Sequence, residues 1–370
     1  MRSFCKPIAL WLSALLSLSL LAGCDRNTGE YYTETAHSEK QTVLPSESDD
    51  SGINGYYTLK GAVLNMVNMG LSEDVFRVGQ YSGDLEADLK VIIQEITTAE
   101  PIGIYGVSSI TVDQTRVLTY RELAVSIQYK RAAVDLRSIV DVRSDYDLHS
   151  RIATLLGTLG ESRAFQVTDG VALRDRIQRE IYAAWMSCGA DAPGLDYMAA
   201  DFYPEGQDKT ILEIRPQYTV EQEVQQAQTQ QILAQAEEIA AQLPAEGSLH
   251  ERLDAVSLWL YENVEYDYSA QRVVNETGGE QRKSVRYTAY GALVDRAAAQ
   301  SGFVLAASVL LDRLDIDHEV VTGTVGEDIY SWITLPDDRS SLIFDVTALE
   351  NEREQIIYAA DDGAELFIPW

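Results

Sequence analysis

The chain has 370 residues, and 58 acidic against 29 basic residues give it a formal charge of −29. A surface this acidic excludes a nucleic-acid partner, which needs a basic face. It also excludes a chain that lies flat on anionic lipid. The length is sufficient for one to three domains with apolar cores.

The first residues have the pattern of an export signal. A short cationic start precedes an apolar run at 8–21, which is shorter than the roughly 20 apolar residues of a membrane-spanning helix. The run ends in a Leu-Ala-Gly-Cys motif that resembles the lipobox of bacterial lipoproteins. We therefore expect residues 1–23 to be removed and Cys24 to carry a lipid at the extracytoplasmic face of the cell membrane. An ordinary signal peptide followed by a chance cysteine is the alternative.

Residues 24–52 are predicted to form a flexible acidic tether. They are rich in Ser, Thr, Glu, Asp and Asn and have no apolar period, so they cannot bury enough surface to fold. A flexible coil of this length has a root-mean-square reach of roughly 30 Å.

Residues 53–219 are predicted to contain two repeated αβ units, which could share one sheet or stack. Each has a short strand, an amphipathic helix and two further apolar runs, the pattern of a helix packed on a small antiparallel sheet. In the first unit these segments are 76–81, 85–96, 102–110 and 123–129. In the second they are a short apolar start at Ala164, then 171–185, 195–202 and 209–218.

A third region, 220–370, begins with a long helix that ends before Pro244. Ser248 and Glu251 have the spacing of a capping box and predict a new helix start. The segments that follow are a polar loop at 271–284, a helix at 299–314 and strands at 318–322, 330–335 and 342–346.

Several motifs in this third region resemble those of bacterial transglutaminase-like domains, which are related to papain. The resemblance covers roughly residues 220–350 and implies an α+β fold of the cysteine-proteinase type. The matching segments are Val264-Glu265-Tyr266-Asp267, Tyr290-Gly291-Ala292-Leu293, Gly302-Phe303, Trp332 and Phe344-Asp345-Val346-Thr347.

The two residues that would perform the family's chemistry are replaced. In the family, a cysteine at a helix start attacks an amide carbonyl, a histidine takes its proton, and an aspartate orients the histidine. Gln300 stands at the cysteine position and Tyr330 at the histidine position, while Asp345 is retained. A carboxamide is not a nucleophile and a phenol is a poor base at pH 7. The domain is therefore expected to be catalytically inactive.

A cleft lined by aromatic and amide groups could still bind without reacting. We expect it to hold a peptide, a glycan or a protein of the cell envelope, with no cofactor and no metal. A scaffold without a ligand is one alternative, and an active amide-processing enzyme with a relocated nucleophile is another. The expected cleft residues are Gln300, Ser301, Tyr330, Trp332, Asp345 and Tyr290.

Other polar residues give no competing site. Cys188 follows a helix and is interpreted as a structural thiol, and His318 as a solvated or capping side chain. The acidic turn from Asp312 to Glu319 could hold calcium, but its spacing is not that of a calcium loop.

Overall fold

A computed structural model of the chain describes residues 52–277, 285–336, 341–353 and 355–370. The predicted signal peptide, Cys24 and nearly all of the predicted tether lie outside these described residues. No helix within the described ranges is long and apolar enough to cross a membrane.

The first sheet carries two helices on one face and has a core of its own. Helix α2 turns Leu85, Leu89 and Ile92 inward, at the spacing of one helical face. The strands are antiparallel in the order β1-β3-β2, and alternate residues of β3 are buried against the helices. The elements are α1 (Tyr56–Met69), β1 (Glu73–Val78), α2 (Leu85–Thr98), α3 (Pro101–Gly106), β2 (Val107–Val117) and β3 (Tyr120–Tyr129).

One apolar run of this unit differs from the prediction. The segment 102–110 begins as the short helix α3 and becomes strand only at Val107. Pro101 occupies the start of that helix, a position that proline favours because its fixed φ suits the helix and its missing N–H is not needed there.

The second sheet repeats the strand order of the first. Its strands run β4-β5-β7-β6, so the order β5-β7-β6 corresponds to β1-β3-β2 with the same antiparallel pairing. The two units form separate sheets, and the predicted duplication stays a prediction. The elements are α4 (Ala133–Arg137), β4 (Val140–Asp141), α5 (Asp145–Gly157), β5 (Arg163–Val167), α6 (Gly170–Met186), β6 (Leu195–Tyr203) and β7 (Thr210–Tyr218).

A buried carboxylate joins the first unit to the second sheet. Glu213 lies on β7 with only 2% of its side chain exposed. Its oxygens accept hydrogen bonds from Arg131 at 2.9 Å, from Arg215 at 3.1 Å and from the Tyr105 hydroxyl at 3.3 Å. Two cations and a phenol thus compensate for the loss of hydration of this carboxylate.

The remaining helices and strands surround a five-stranded antiparallel sheet in the order β13-β12-β11-β10-β14. The short strands β8 and β9 pair with each other in parallel. The elements are α7 (Gln222–Ala240), α8 (Leu249–Asn263), β8 (Glu265–Tyr266), α9 (Tyr268–Thr277), α10 (Ala289–Leu293), β9 (Ala297–Ala298), α11 (Gln300–Arg313), β10 (Glu319–Val325), β11 (Asp328–Pro336), β12 (Ser341–Phe344), β13 (Ile357–Ala359), α12 (Ala360–Gly363) and β14 (Phe367–Pro369).

The predicted capping box is confirmed, because the Ser248 hydroxyl accepts from the Glu251 amide while the Glu251 carboxylate accepts from the Ser248 amide. The three predicted strands are confirmed as β10, β11 and β12. The predicted polar loop at 271–284 is wrong in its first part, since α9 continues to Thr277. Residues 278–284 lie outside the described residues.

Helix α11 is buried along most of its length. Every residue from Gln300 to Leu311 is buried, as expected for a helix that is apolar on all sides. Its core is continuous from Val142 on the second sheet to Val346 after β12. The same apolar core therefore extends across the predicted boundary at residue 219. The architecture is a mixed α+β fold, as the sequence predicted.

Gly302 on α11 provides a test of this packing. A methyl group at Gly302 would lie 2.7 Å from the Arg286 carbonyl oxygen and 2.8 Å from the Ala298 Cβ. We expect Gly302→Ala to lower the free energy of unfolding by about 1–3 kcal/mol in urea titrations, because the site is already full. The control is Gly61→Ala, whose methyl group meets no atom within 4 Å. It should leave stability unchanged or raise it. Equal destabilisation by both variants would contradict this account of α11.

Candidate functional site

The side chain of Gln300 pairs with the main chain of strand β11. Its Nε2 donates to the Ser331 carbonyl oxygen at 2.5 Å, and its Oε1 accepts from the Ser331 amide at 3.3 Å. The main-chain N–H of Gln300 donates to Oε1 of Gln271 on α9 at 3.2 Å. The carboxamide is thus fixed between helix and strand. One of the backbone donors at the start of α11, where a helix could stabilise an anion, is also occupied.

Tyr330 and Asp345 are joined by a short hydrogen bond. The Tyr330 hydroxyl donates to Oδ1 of Asp345 at 2.7 Å and lies 2.7 Å from Oγ1 of Thr347. Nδ2 of Asn351 donates to the same hydroxyl at 3.0 Å. The phenol therefore has partners on three sides, and its position next to Asp345 is the one predicted for the family's histidine.

An arginine neutralises Asp345. Nη1 of Arg353 donates to Oδ2 of Asp345 at 2.5 Å, and the Arg353 guanidinium carbon lies 5.3 Å from the centre of the Tyr330 ring. The Asp345 side chain has no exposed surface. Both of its oxygens are occupied, so the carboxylate holds Tyr330 and Arg353 in place.

The titration of these groups is dominated by burial. Burial raises the pKa of the Tyr330 phenol well above its usual range, and the nearby charge of Asp345 raises it further. Tyr330 is therefore protonated at neutral pH and does not act as a base. Burial also raises the pKa of the Asp345 carboxyl, while the Tyr330 hydrogen bond and the Arg353 charge oppose that shift.

The sequence predicted a ligand cleft at these positions, and the structure places most of the predicted residues in a buried, hydrogen-bonded network. Gln300, Ser301, Tyr330, Trp332 and Asp345 are each at most 5% exposed. The structure does bring Gln300, Tyr330 and Asp345 together through β11. Their burial does not support the expectation that they form the walls of a binding cleft.

The predicted aromatic wall has a packing role. Trp332 and Tyr330 lie on the same face of β11 and form a small core with Phe367. Ser331 points the other way, and its buried hydroxyl has no partner among the described residues. Ser301 donates to the Tyr287 carbonyl at 3.1 Å. Tyr290 is half-buried against the large core.

Cys188 is half-buried after α6, as the sequence predicted for a structural thiol. Burial raises the pKa of its thiol to about 12, with a contribution from Asp191. A thiol with this pKa is almost entirely protonated at pH 7, so it is a weak nucleophile.

A serine–histidine pair was not predicted. The Ser308 hydroxyl lies 2.7 Å from Nε2 of His318, and Nδ1 of His318 lies 2.9 Å from the Ile316 carbonyl oxygen. The sequence gave no local signal for this pair, because the turn after α11 brings the two side chains together. The described residues contain no group of three or more His, Cys, Asp or Glu side chains that could hold a metal ion, and this applies to the acidic turn.

Comparisons with known proteins show similarity only at the level of structure. No family model matches the chain, and no curated protein matches it. One similar solved structure is a TGase, with 12% identity, a TM-score of 0.30, and coverage of 80% of this chain and 85% of that one. Another is a putative cysteine protease from Cytophaga hutchinsonii, with 15% identity, a TM-score of 0.25, and coverage of 46% and 69%. At these scores the similarities carry no conclusion about function.

The Arg353–Asp345 pair leads to a stability prediction. Arg353→Met leaves a buried carboxylate without its cation, which should lower the free energy of unfolding by about 3 kcal/mol in urea titrations. Adding Asp345→Asn should recover part of that loss, because an amide needs no counter-ion. Lys90→Met removes one partner of an exposed pair with Glu86 and should cost less than about 1 kcal/mol. A loss from Arg353→Met no larger than this control would show that Asp345 does not depend on Arg353.

Proposed function

We propose that this chain is a lipid-anchored protein of the cell envelope whose transglutaminase-like domain is catalytically inactive and acts by binding. The observation that carries the proposal is the state of the two replaced positions. The Gln300 carboxamide is bonded to the Ser331 main chain, and the Tyr330 phenol is bonded to Asp345. Neither group can serve as nucleophile or base.

The closed network also affects where binding would occur. Because Gln300, Tyr330 and Asp345 are buried and satisfied by internal partners, a ligand could reach them only by disrupting the network. The proposed peptide, glycan or protein ligand is therefore expected at another surface of the chain. The closed network has a second interpretation, in which the protein is a scaffold that binds no ligand.

The Ser308–His318 pair is the observation that favours the enzymatic alternative. A hydroxyl 2.7 Å from an imidazole nitrogen has the geometry of an activated serine. Ser308 lies inside α11, however, where helical hydrogen bonds use the backbone amides that could otherwise stabilise an oxyanion. The pair thus provides a base next to a hydroxyl without the donors that acyl transfer needs.

Covalent probes distinguish the two functions. A fluorophosphonate probe for serine and iodoacetamide for cysteine should leave the intact mass of the native protein unchanged at pH 7.5, because no described nucleophile combines exposure with activation. An active serine hydrolase labelled in the same tube confirms that the probe is competent. Labelling at a single residue that disappears in Ser308→Ala would establish the enzymatic alternative.

The proposed lipid anchor has its own test. In cells that express the full chain, the wild type should fractionate with membranes, and Cys24→Ser should be recovered in the soluble extracytoplasmic fraction. Cys188→Ser is the matched control and should remain with the membranes. Membrane association of Cys24→Ser equal to that of the wild type would contradict lipidation at Cys24.

A further inference from the structure

A cavity of about 590 Å³ lies beside the Ser308–His318 pair. It is bounded by α5, the turn after α6, α7, α11 and β10, and none of its lining residues belongs to the network of Gln300, Tyr330 and Asp345. Its volume falls within the range of small-ligand sites. Leu233, Val309 and Val320 give it an apolar wall.

The hydrogen bond of His318 sets the polarity of one side of the cavity. A carbonyl oxygen can only accept, so the contact with Ile316 places a hydrogen on Nδ1 of His318. Nε2 and the Ser308 hydroxyl form the second hydrogen bond of the ring. Whichever of these two groups donates, the Ser308 oxygen keeps a lone pair that can accept from a ligand.

A second serine–histidine pair, Ser187 and His149, also lines the cavity and offers it an acceptor. The Ser187 hydroxyl donates to the Ala184 carbonyl at 2.8 Å, so Nε2 of His149, 3.2 Å away, must donate to the Ser187 oxygen. Burial lowers the pKa of His149, against the opposing charge of Glu319. The neutral imidazole therefore keeps Nδ1 as an acceptor.

The charged residues of the cavity add negative potential. Asp191, Asp312 and Glu319 line it, and Oδ1 of Asp312 lies 4.0 Å from Nδ1 of His318. Arg313, the one arginine or lysine among the described lining residues, has the Glu237 carboxylate 3.9 Å away. Hydrogen-bond acceptors and carboxylates together favour a ligand that is both a donor and a cation. The described side chains do not have the grouping that a metal ion requires, which leaves an organic cation.

We propose that this cavity binds a primary ammonium group, of the kind carried by a lysine side chain or by an amino sugar. The ammonium would donate to the Ser308 oxygen and lie between Asp312 and Glu319, with methylene groups against the apolar wall. This inference names the ligand chemistry and the location of the proposed binding function, and it rests on that function.

The test is isothermal titration of the full chain in detergent with two amines, Nα-acetyl-L-lysine amide and D-glucosamine. Their neutral counterparts are Nα-acetyl-L-norleucine amide and N-acetyl-D-glucosamine. At least one amine should bind saturably and at least tenfold more tightly than its counterpart, and the amine that binds identifies the source of the ammonium group. Absence of binding by both amines, or equal binding of amine and counterpart, would overturn the proposal.

Variants locate the site. Asp312→Asn combined with Glu319→Gln, and separately Ser308→Ala, should each weaken amine binding at least tenfold while the circular dichroism spectrum stays unchanged. Asp361→Asn combined with Glu365→Gln removes the same charge from exposed positions outside the cavity and should leave binding unchanged. If this control weakens amine binding equally, the effect comes from the overall charge of the protein and the proposed site is wrong.

Soluble peptide and saccharide fragments of cell wall, titrated in parallel, separate this inference from the proposed function. If the fragments bind and the amines do not, the ammonium site is wrong and the binding function stands. If neither binds, the inference fails together with the binding function, and the scaffold reading replaces both.

Discussion

The fold depends on the burial of helix α11 on all of its faces. A helix without a polar face must be covered on every side, and here the covering comes from helices α7, α8 and α10 and from strand β11. Two polar side chains, Gln300 and Ser301, begin this mostly apolar helix. Their burial is possible only because β11 and the segment before α10 supply hydrogen-bond partners. The position of the helix thus determines which groups the neighbouring strand and loop must present.

This requirement explains why Gln300 and Tyr330 lie in a closed network. A carboxamide and a phenol have donors and acceptors that need partners once they are buried. Gln300 finds them on the main chain of Ser331, and Tyr330 finds them on Asp345 and Thr347. Arg353 then compensates the charge of Asp345.

The sequence predicted the features that depend on neighbouring residues in the chain. The Ser248–Glu251 capping box marks a helix start whose hydrogen bonds are local, and β10 to β12 are short segments rich in apolar residues, with β11 buried on both faces. Strands β13 and β14 have three residues each, too few for a recognisable period. The partners Thr347, Asn351 and Arg353 could not be assigned, because only the turn after β12 brings them to Tyr330. A binding cleft was expected at Gln300 and Tyr330 because the sequence gives the polarity of a side chain and does not give its accessibility to solvent.

The continuous core from Val142 to Val346 has a consequence for how the molecule unfolds. Elements that share one core lose their apolar contacts together, so the second sheet and the helices around α11 should melt as one cooperative block. The first sheet has its own core and meets the second through the Glu213 cluster and a small apolar contact that includes Tyr105 and Ile211. On heating, the chain should therefore separate into two blocks near Arg131. This position lies far N-terminal to the domain boundary predicted at residue 219.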